Sequence, residues 1–315
     1  MKPSPSLAAS TAERNRLQSR LKAVERQLGA AVDALAKARR ARVSVPPPRR
    51  FPKLKGDLVE VIVSDIHGNK HEPAALAAFL ADLAVIKPDR VFLGGDILDC
   101  GGFLAEHHTL GYVAETADSY EEDVAATNLI LSKIQHESGD AECHYLEGNH
   151  EWRVERWAVT QRLAHHKDIE LLRRTFAAEH VLELKRRRIT YYRQGELHGD
   201  CRVPGWVKLG KLFYVHKLSN ARDAAGAALG KTAANVVFFD THRAAFAPRH
   251  LPGVGLISAW NPGCLCRRQP LWMNTNPTGW NHGYLVRFIS RTGLFQMVNV
   301  SIENGVSFGG SMFHR

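Results

Sequence analysis

"DLVEVIVSDIHGNK" (residues 57–70) sets an apolar run, Leu58 to Val63, directly before a polar stretch that holds Asp65 and His67. A short run this rich in valine and isoleucine reads as a buried strand. The strand ends on an acid, passes one residue, and then presents an imidazole. Both side chains are metal-ligand types, and ligands of α/β sheets gather at the carboxyl ends of strands. The reading therefore turns on whether later strands end in the same way.

They do. "RVFLGGDILD" (90–99) ends on Asp96 and Asp99, and "ECHYLEGNHE" (142–151) ends on Asn149, His150 and Glu151. "KLFYVHK" (211–217) delivers His216, and "NVVFFDTH" (235–242) delivers Asp240 and His242. Helical patterns lie between them. "EPAALAAFLADLAVI" (72–86) carries Pro73 near its start, where proline is tolerated, and "DSYEEDVAATNLILSKIQ" (118–135) places acids in its first turn. A charged helical region follows Glu151 to about Lys185, and an Ala-rich helix is expected near Ala221 to Leu229. The tail from Val254 reads as β, with "GYLVRFIS" (283–290) and "LFQMVNVSI" (294–302) paired across a turn. Strands alternating with helices predict an α/β layered domain.

Charge is unevenly placed. The net charge over 315 residues is +10, of which +9 falls in residues 1–50 and +1 in the remainder. The basic character thus belongs to an N-terminal arm. Leu17, Leu21, Val24, Leu28, Ala31 and Leu35 form an a/d seam, with Ser10 and Glu13 as a capping box. The predicted helix spans about 10–42 and stops before Pro46 to Pro48. Two readings follow: a coiled-coil arm that joins copies of the chain and touches nucleic acid, or a helix folded back on the body. The expected organisation is a basic helical arm with a Pro-rich linker (1–50) and one domain (51–315).

No apolar stretch approaches the ~20 residues of a membrane span, and the N-terminus lacks the apolar centre of a secretory signal. Cys100, Cys143, Cys201, Cys264 and Cys266 form no disulfide framework, which predicts reduced thiols and a cytoplasmic setting.

Taken singly, each strand-end fragment is an ordinary polar turn. Together and in order, D-x-H, GDxxD, GNHE, H and x-x-T-H resemble the calcineurin-like metallophosphoesterase superfamily, over about Asp57 to His242. "GNHEWRVERW" and "WNPGCL…NHG" also resemble members encoded by bacteriophages and prophages. The resemblance implies a four-layer α/β/β/α sandwich and two divalent ions, Mn²⁺ first, with Mg²⁺, Fe, Zn²⁺ or Ni²⁺ as other ions. It implies Asp65, His67, Asp96 and His242 on metal one, and Asp96, Asn149 and His216 on metal two. His150 would protonate the leaving group, with Asp99 holding its ring. Such a centre activates hydroxide for in-line attack on phosphorus.

The pattern also departs from the family. A Gly-His-x-His is usual where this chain has Phe239-Asp240-Thr241-His242, and Lys217 stands where a glycine commonly follows the fourth-strand histidine. Either Asp240 replaces the missing histidine as an oxygen ligand, or it points away and metal two is weakly held. Arg153 and Arg156 are candidate phosphate-binding residues or a solvated helix face, and the run Lys185 to Arg188 is a polyanion contact or an exposed turn. The expected activity is phosphodiester hydrolysis on a nucleic acid or nucleotide. The alternatives are a phosphomonoesterase or protein phosphatase, and a non-catalytic binding module with a degraded metal site.

Overall fold

In the computed structural model the chain divides into two units, Met1–Ser44 and Val45–Arg315. The structure describes residues 57–101, 119–160, 165–270, 273 and 276–312, together with Arg16, Gln18, Ser19, Arg20, Lys22 and Arg26. These last six are helical and exposed. The a/d seam, the Pro-rich linker and the contact between copies expected within 10–42 lie outside the described residues.

In the second unit the predicted strands form where the apolar runs stand. β1 (Leu58–Val63), β2 (Arg90–Leu93), β3 (Glu142–Leu146) and β4 (Ile189–Tyr192) pair in parallel. β10 (His282–Ile289) and β11 (Phe295–Ile302) join antiparallel beside β1, giving the order β11-β10-β1-β2-β3-β4. A second sheet runs β5-β6-β7-β9-β8, from Trp206–Leu209, Leu212–Val215, Val236–Phe238, Gly255–Asn261 and Ala245–Leu251 respectively.

The period-2 alternation of β1 assigns its two faces. Val59, Val61 and Val63 join a core beneath helices, whereas Ile62 joins a core shared with Tyr214, Val237 and Phe239 of the second sheet. A sheet covered on both faces reads as a continuous apolar run, which is what residues 58–63 showed. Helix α1 (Pro73–Ile86) has Pro73 in its first turn and buries Leu76, Phe79, Leu83 and Ile86, spaced by three and four, against the first sheet. Helix α2 (Tyr120–Glu137) opens on a capping box in which Ser119 and Glu122 bond each other's backbone. The charged region after Glu151 breaks into α3 (Trp152–Thr160), α4 (His166–Phe176) and α5 (Ala178–Val181). Helix α6 (Ala224–Thr232) covers the outer face of the second sheet through Ala224, Ala225, Ala228 and Leu229. The layers are α/β/β/α, as expected.

Two charges that look misplaced in the sequence have structural partners. Glu60, alone in the apolar run of β1, accepts from Tyr214 Oη at 2.6 Å and Arg287 Nη1 at 3.1 Å, so the buried carboxylate ties the two sheets together. Arg187, in the basic run, is buried and donates to Asn128 O, Gln135 Oε1 and Leu182 O. It closes the end of α2 against the turn after α5, so only its neighbours are left to face solvent. All five cysteines are free and buried. Among the described residues no helix is long and apolar enough to cross a membrane.

Candidate metal centre

The loops after β1 and β2 stay zipped beyond the strands. Asp65 N donates to Gly95 O, His67 N to Asp96 O and Gly68 N to Ile97 O, at 3.0, 2.9 and 2.7 Å. Asp65, His67, Asp96, Asp240 and His242 all adopt left-handed backbone, with φ of 53°, 56°, 51°, 68° and 57°. Such conformations cost of order 1–3 kcal/mol each and persist only where the surroundings over-determine them. Here they turn consecutive strand-end side chains toward one point. Gly148 belongs to the same design: a Cβ there would stand 2.1 Å from Asp96 Oδ1.

Four donors converge on the first position. His242 Nε2 lies 3.0 Å from Asp65 Oδ1 and 3.3 Å from His67 Nε2, and His67 Nε2 lies 4.0 Å from Asp96 Oδ2. Donors about 2.1 Å from one cation stand about 3.0 to 4.2 Å apart, so this spacing fits a shared ion. Asp65 Oδ1 is fully buried yet accepts no hydrogen bond, while Oδ2 is occupied by the Ser64 hydroxyl. A buried carboxylate oxygen with no donor but the ring nitrogens that face it fits the donor set of a cation. His67 Nδ1 donates to Asp99 Oδ1 at 2.8 Å, which fixes the tautomer and turns Nε2 inward.

Three donors converge on the second position. His216 Nε2 lies 3.2 Å from Asp96 Oδ2 and 3.1 Å from Asn149 Oδ1, and His216 Nδ1 donates to Gly94 O at 2.7 Å. Asp96 Oδ2 thus faces both sets, while its Oδ1 accepts the His150 amide at 2.8 Å. Burial disfavours charged rings here, yet Asp96 pushes His216 up to about 10 and Asp65 pushes His242 up to about 9. The carboxylates of the cluster thus favour positive charge at these two positions.

His150 lies beside both sets: its Nε2 is 3.8 Å from Asp96 Oδ2, and it forms a further close group with His67 and Asp99. Its Nδ1 lies 2.7 Å from Asp99 O and 3.1 Å from Asp99 Oδ1, and its Nε2 is 3.0 Å from Arg153 Nη2. Two acceptors at Nδ1 and a donor at Nε2 define the Nδ1–H tautomer. Burial pushes the Asp99 carboxyl up, but hydrogen bonds from His150 and His67 outweigh it and hold it below the usual range. Arg156, by contrast, is exposed, with its guanidinium 5.9 Å from the Trp152 ring centroid. Glu151 does not touch His150's ring. Its carboxylate accepts the amides of Asp96, Ile97, Leu98 and Gly148 at 2.8 to 3.0 Å and Tyr145 Oη at 2.5 Å, stapling the second and third ligand loops together.

Residues 61–242 match the family described as calcineurin-like phosphoesterase. The chain belongs to that family. A calcineurin-like phosphoesterase is a metal-dependent hydrolase, and its substrate is a phosphoester. Solved structures similar to this one include vacuolar protein sorting 29 from Cryptosporidium parvum, at 12% identity and a TM-score of 0.37 over 80% of this chain and 95% of that one. Yfce, a phosphoesterase from E. coli, is 15% identical with a TM-score of 0.33 over 76% of this chain and 98% of that one. No curated protein matches the sequence.

Against the calcineurin-like phosphoesterase pattern, the departures are confined to one corner. Phe239 is fully buried in the core between the sheets, its ring filling the space a Cβ on Gly94 would take, and it stacks 6.3 Å from His216. Asp240 Oδ2 sits 3.4 Å from Lys217 Nζ, and Asp240 joins none of the close donor groups among the described residues. Sequence reasoning also missed Cys266 and Trp280. Cys266 Sγ lies 3.7 Å from His242 Nδ1, and the Trp280 ring stands edge-on 4.1 Å from His242. Both come from the loop before β10, whose contact with β1 the sequence spacing does not reveal.

Proposed function

We propose that this chain is a phosphodiesterase with a dinuclear centre, acting on a nucleotide or nucleic acid. The observation that carries the reading is that Asp96 Oδ2 belongs to two donor sets at once. Metal one would be held by Asp65, His67, Asp96 and His242, and metal two by Asp96, Asn149 and His216 with Asp240 completing it. When bound, the pair supplies positive charge to the phosphoryl oxygens and lowers the pKa of water between them.

The chain's own residues do the rest. Arg153 Nη2 rests 3.0 Å from His150 Nε2. A phosphate draws the guanidinium off, because planar bidentate pairing with an oxyanion is the stronger contact. Burial opposes a charged His150, but Asp96 raises it, and Arg153 is one of the groups holding it back. With Arg153 engaged, the ring takes up a proton at Nε2 and passes it to the departing oxygen, while Asp99 holds Nδ1. Three carboxylates facing two divalent ions leave one net positive charge, which matches the single negative charge of a diester. Trp280, half-buried beside His242, offers a face on which a base could stack.

The test uses full-length protein stripped with chelator and reloaded with Mn²⁺. Activity is expected to vanish on stripping and return on reloading, with kcat/KM for bis-p-nitrophenyl phosphate at least about tenfold above that for p-nitrophenyl phosphate. The reverse preference would make the protein a phosphomonoesterase. Hydrolysis of neither ester would make it a binding module.

A further inference from the structure

Lys217 and Asp240 are two of the three residues at which this chain leaves the family pattern, Phe239 being the third, and they face one another. Lys217 directly follows His216, a donor of the second set, and Asp240 stands two residues before His242, a donor of the first. They come from the ends of neighbouring parallel strands, β6 and β7, so the sheet brings them side by side. The result is an ammonium 3.4 Å from a carboxylate, with the Lys217 side chain 52% exposed and the Asp240 side chain 12% exposed. Phe239, packed against Gly94 and His216, fixes the turn that presents Asp240.

An ammonium is a compact point charge on a flexible stem. Held against Asp240, it masks a carboxylate that could swing to complete the second donor set and repels a divalent ion approaching His216 and Asn149. Swung into solvent, which its half-exposed stem permits, it uncovers that carboxylate. The two arrangements compete for the same oxygen.

We propose that Lys217 is a built-in competing cation that sets the affinity of the second metal position by pairing with Asp240. The proposal rests on the dinuclear reading and deepens it. The first position, whose four donors do not include Asp240, is occupied independently of the pair. The second is filled only when the ion displaces the lysine, so the occupancy of this position follows the free metal concentration.

The experiment is calorimetric titration of metal-free, full-length protein with Mn²⁺, read alongside Mn²⁺ electron paramagnetic resonance, in which a coupled ion pair is distinct from a lone ion. Lys217→Met removes the charge and keeps most of the stem. It is expected to tighten the second Mn²⁺ by at least roughly tenfold, to increase the coupled signal, and to leave the first Mn²⁺ within about twofold. Asp240→Asn is expected to loosen the second ion. In the double variant the gain from Lys217→Met should shrink severalfold, to the residue left by simple charge repulsion, because the lysine has lost the carboxylate it competes for. An unchanged or weaker second Mn²⁺ in Lys217→Met, or a gain of full size in the double variant, would overturn the proposal. If the first ion binds but neither the wild type nor any variant takes a second, the dinuclear reading fails and this proposal with it.

Discussion

Asp96→Asn is expected to empty both metal positions and lower kcat/KM on a phosphodiester by at least ~10³-fold, ~4 kcal/mol of transition-state stabilisation. The geometry makes this the most damaging isosteric change in the site. Asp96 Oδ1 accepts the His150 amide, and that bond fixes which way an asparagine would turn. The carboxamide oxygen must take the Oδ1 place, which leaves the NH₂ group where Oδ2 now faces His216 and His67. An NH₂ offers no lone pair to a cation. The variant therefore loses the shared ligand and one negative charge while keeping the loop. Metal content by mass spectrometry should fall, and the melting temperature of the metal-free protein should stay within a few degrees of wild type. Retention of two ions per chain would show that Asp96 does not bridge.

His150→Ala should leave metal content unchanged, because neither donor set includes the ring. Its kcat is expected to fall by about 10²- to 10⁴-fold, the usual range for a positioned general acid. The fall should depend on the leaving group. A p-nitrophenolate departs without a proton, whereas an alkoxide does not, so an alkyl diester should suffer much more than bis-p-nitrophenyl phosphate. An equal fall on both esters would reassign His150 to steadying the phosphate. Arg153→Lys is the companion variant: a lysine cannot make the planar bidentate contact with a phosphate, so its effect should appear mainly in KM.

The parts of the site that follow directly from strand ends were legible in the sequence. Asp65, Asp96, Asn149, His216 and His242 each follow an apolar run, and a layered α/β fold brings such positions together whatever the intervening helices contain. What could not be read depends on contacts between loops. The bond from the His150 amide to Asp96 Oδ1, which leaves only Oδ2 facing both donor sets, crosses 54 residues. The Glu151 staple reaches amides 53 to 55 residues away, which spacing along the chain does not reveal. Lys217 and Asp240 are 23 residues apart on separate strands, and only the register of β6 with β7 couples the two departures. Glu60 in β1 was visible as an anomaly in an apolar run, but its partners Tyr214 and Arg287 come from distant strands.

The most direct measurement is anomalous diffraction at the manganese edge from crystals of the full chain grown with excess Mn²⁺. The account predicts one peak within coordination distance of Asp65, His67, Asp96 and His242, and a second, of lower occupancy, beside Asp96, Asn149 and His216. Saturated crystals with no anomalous peak among these residues, or with their Mn²⁺ bound elsewhere, would contradict it.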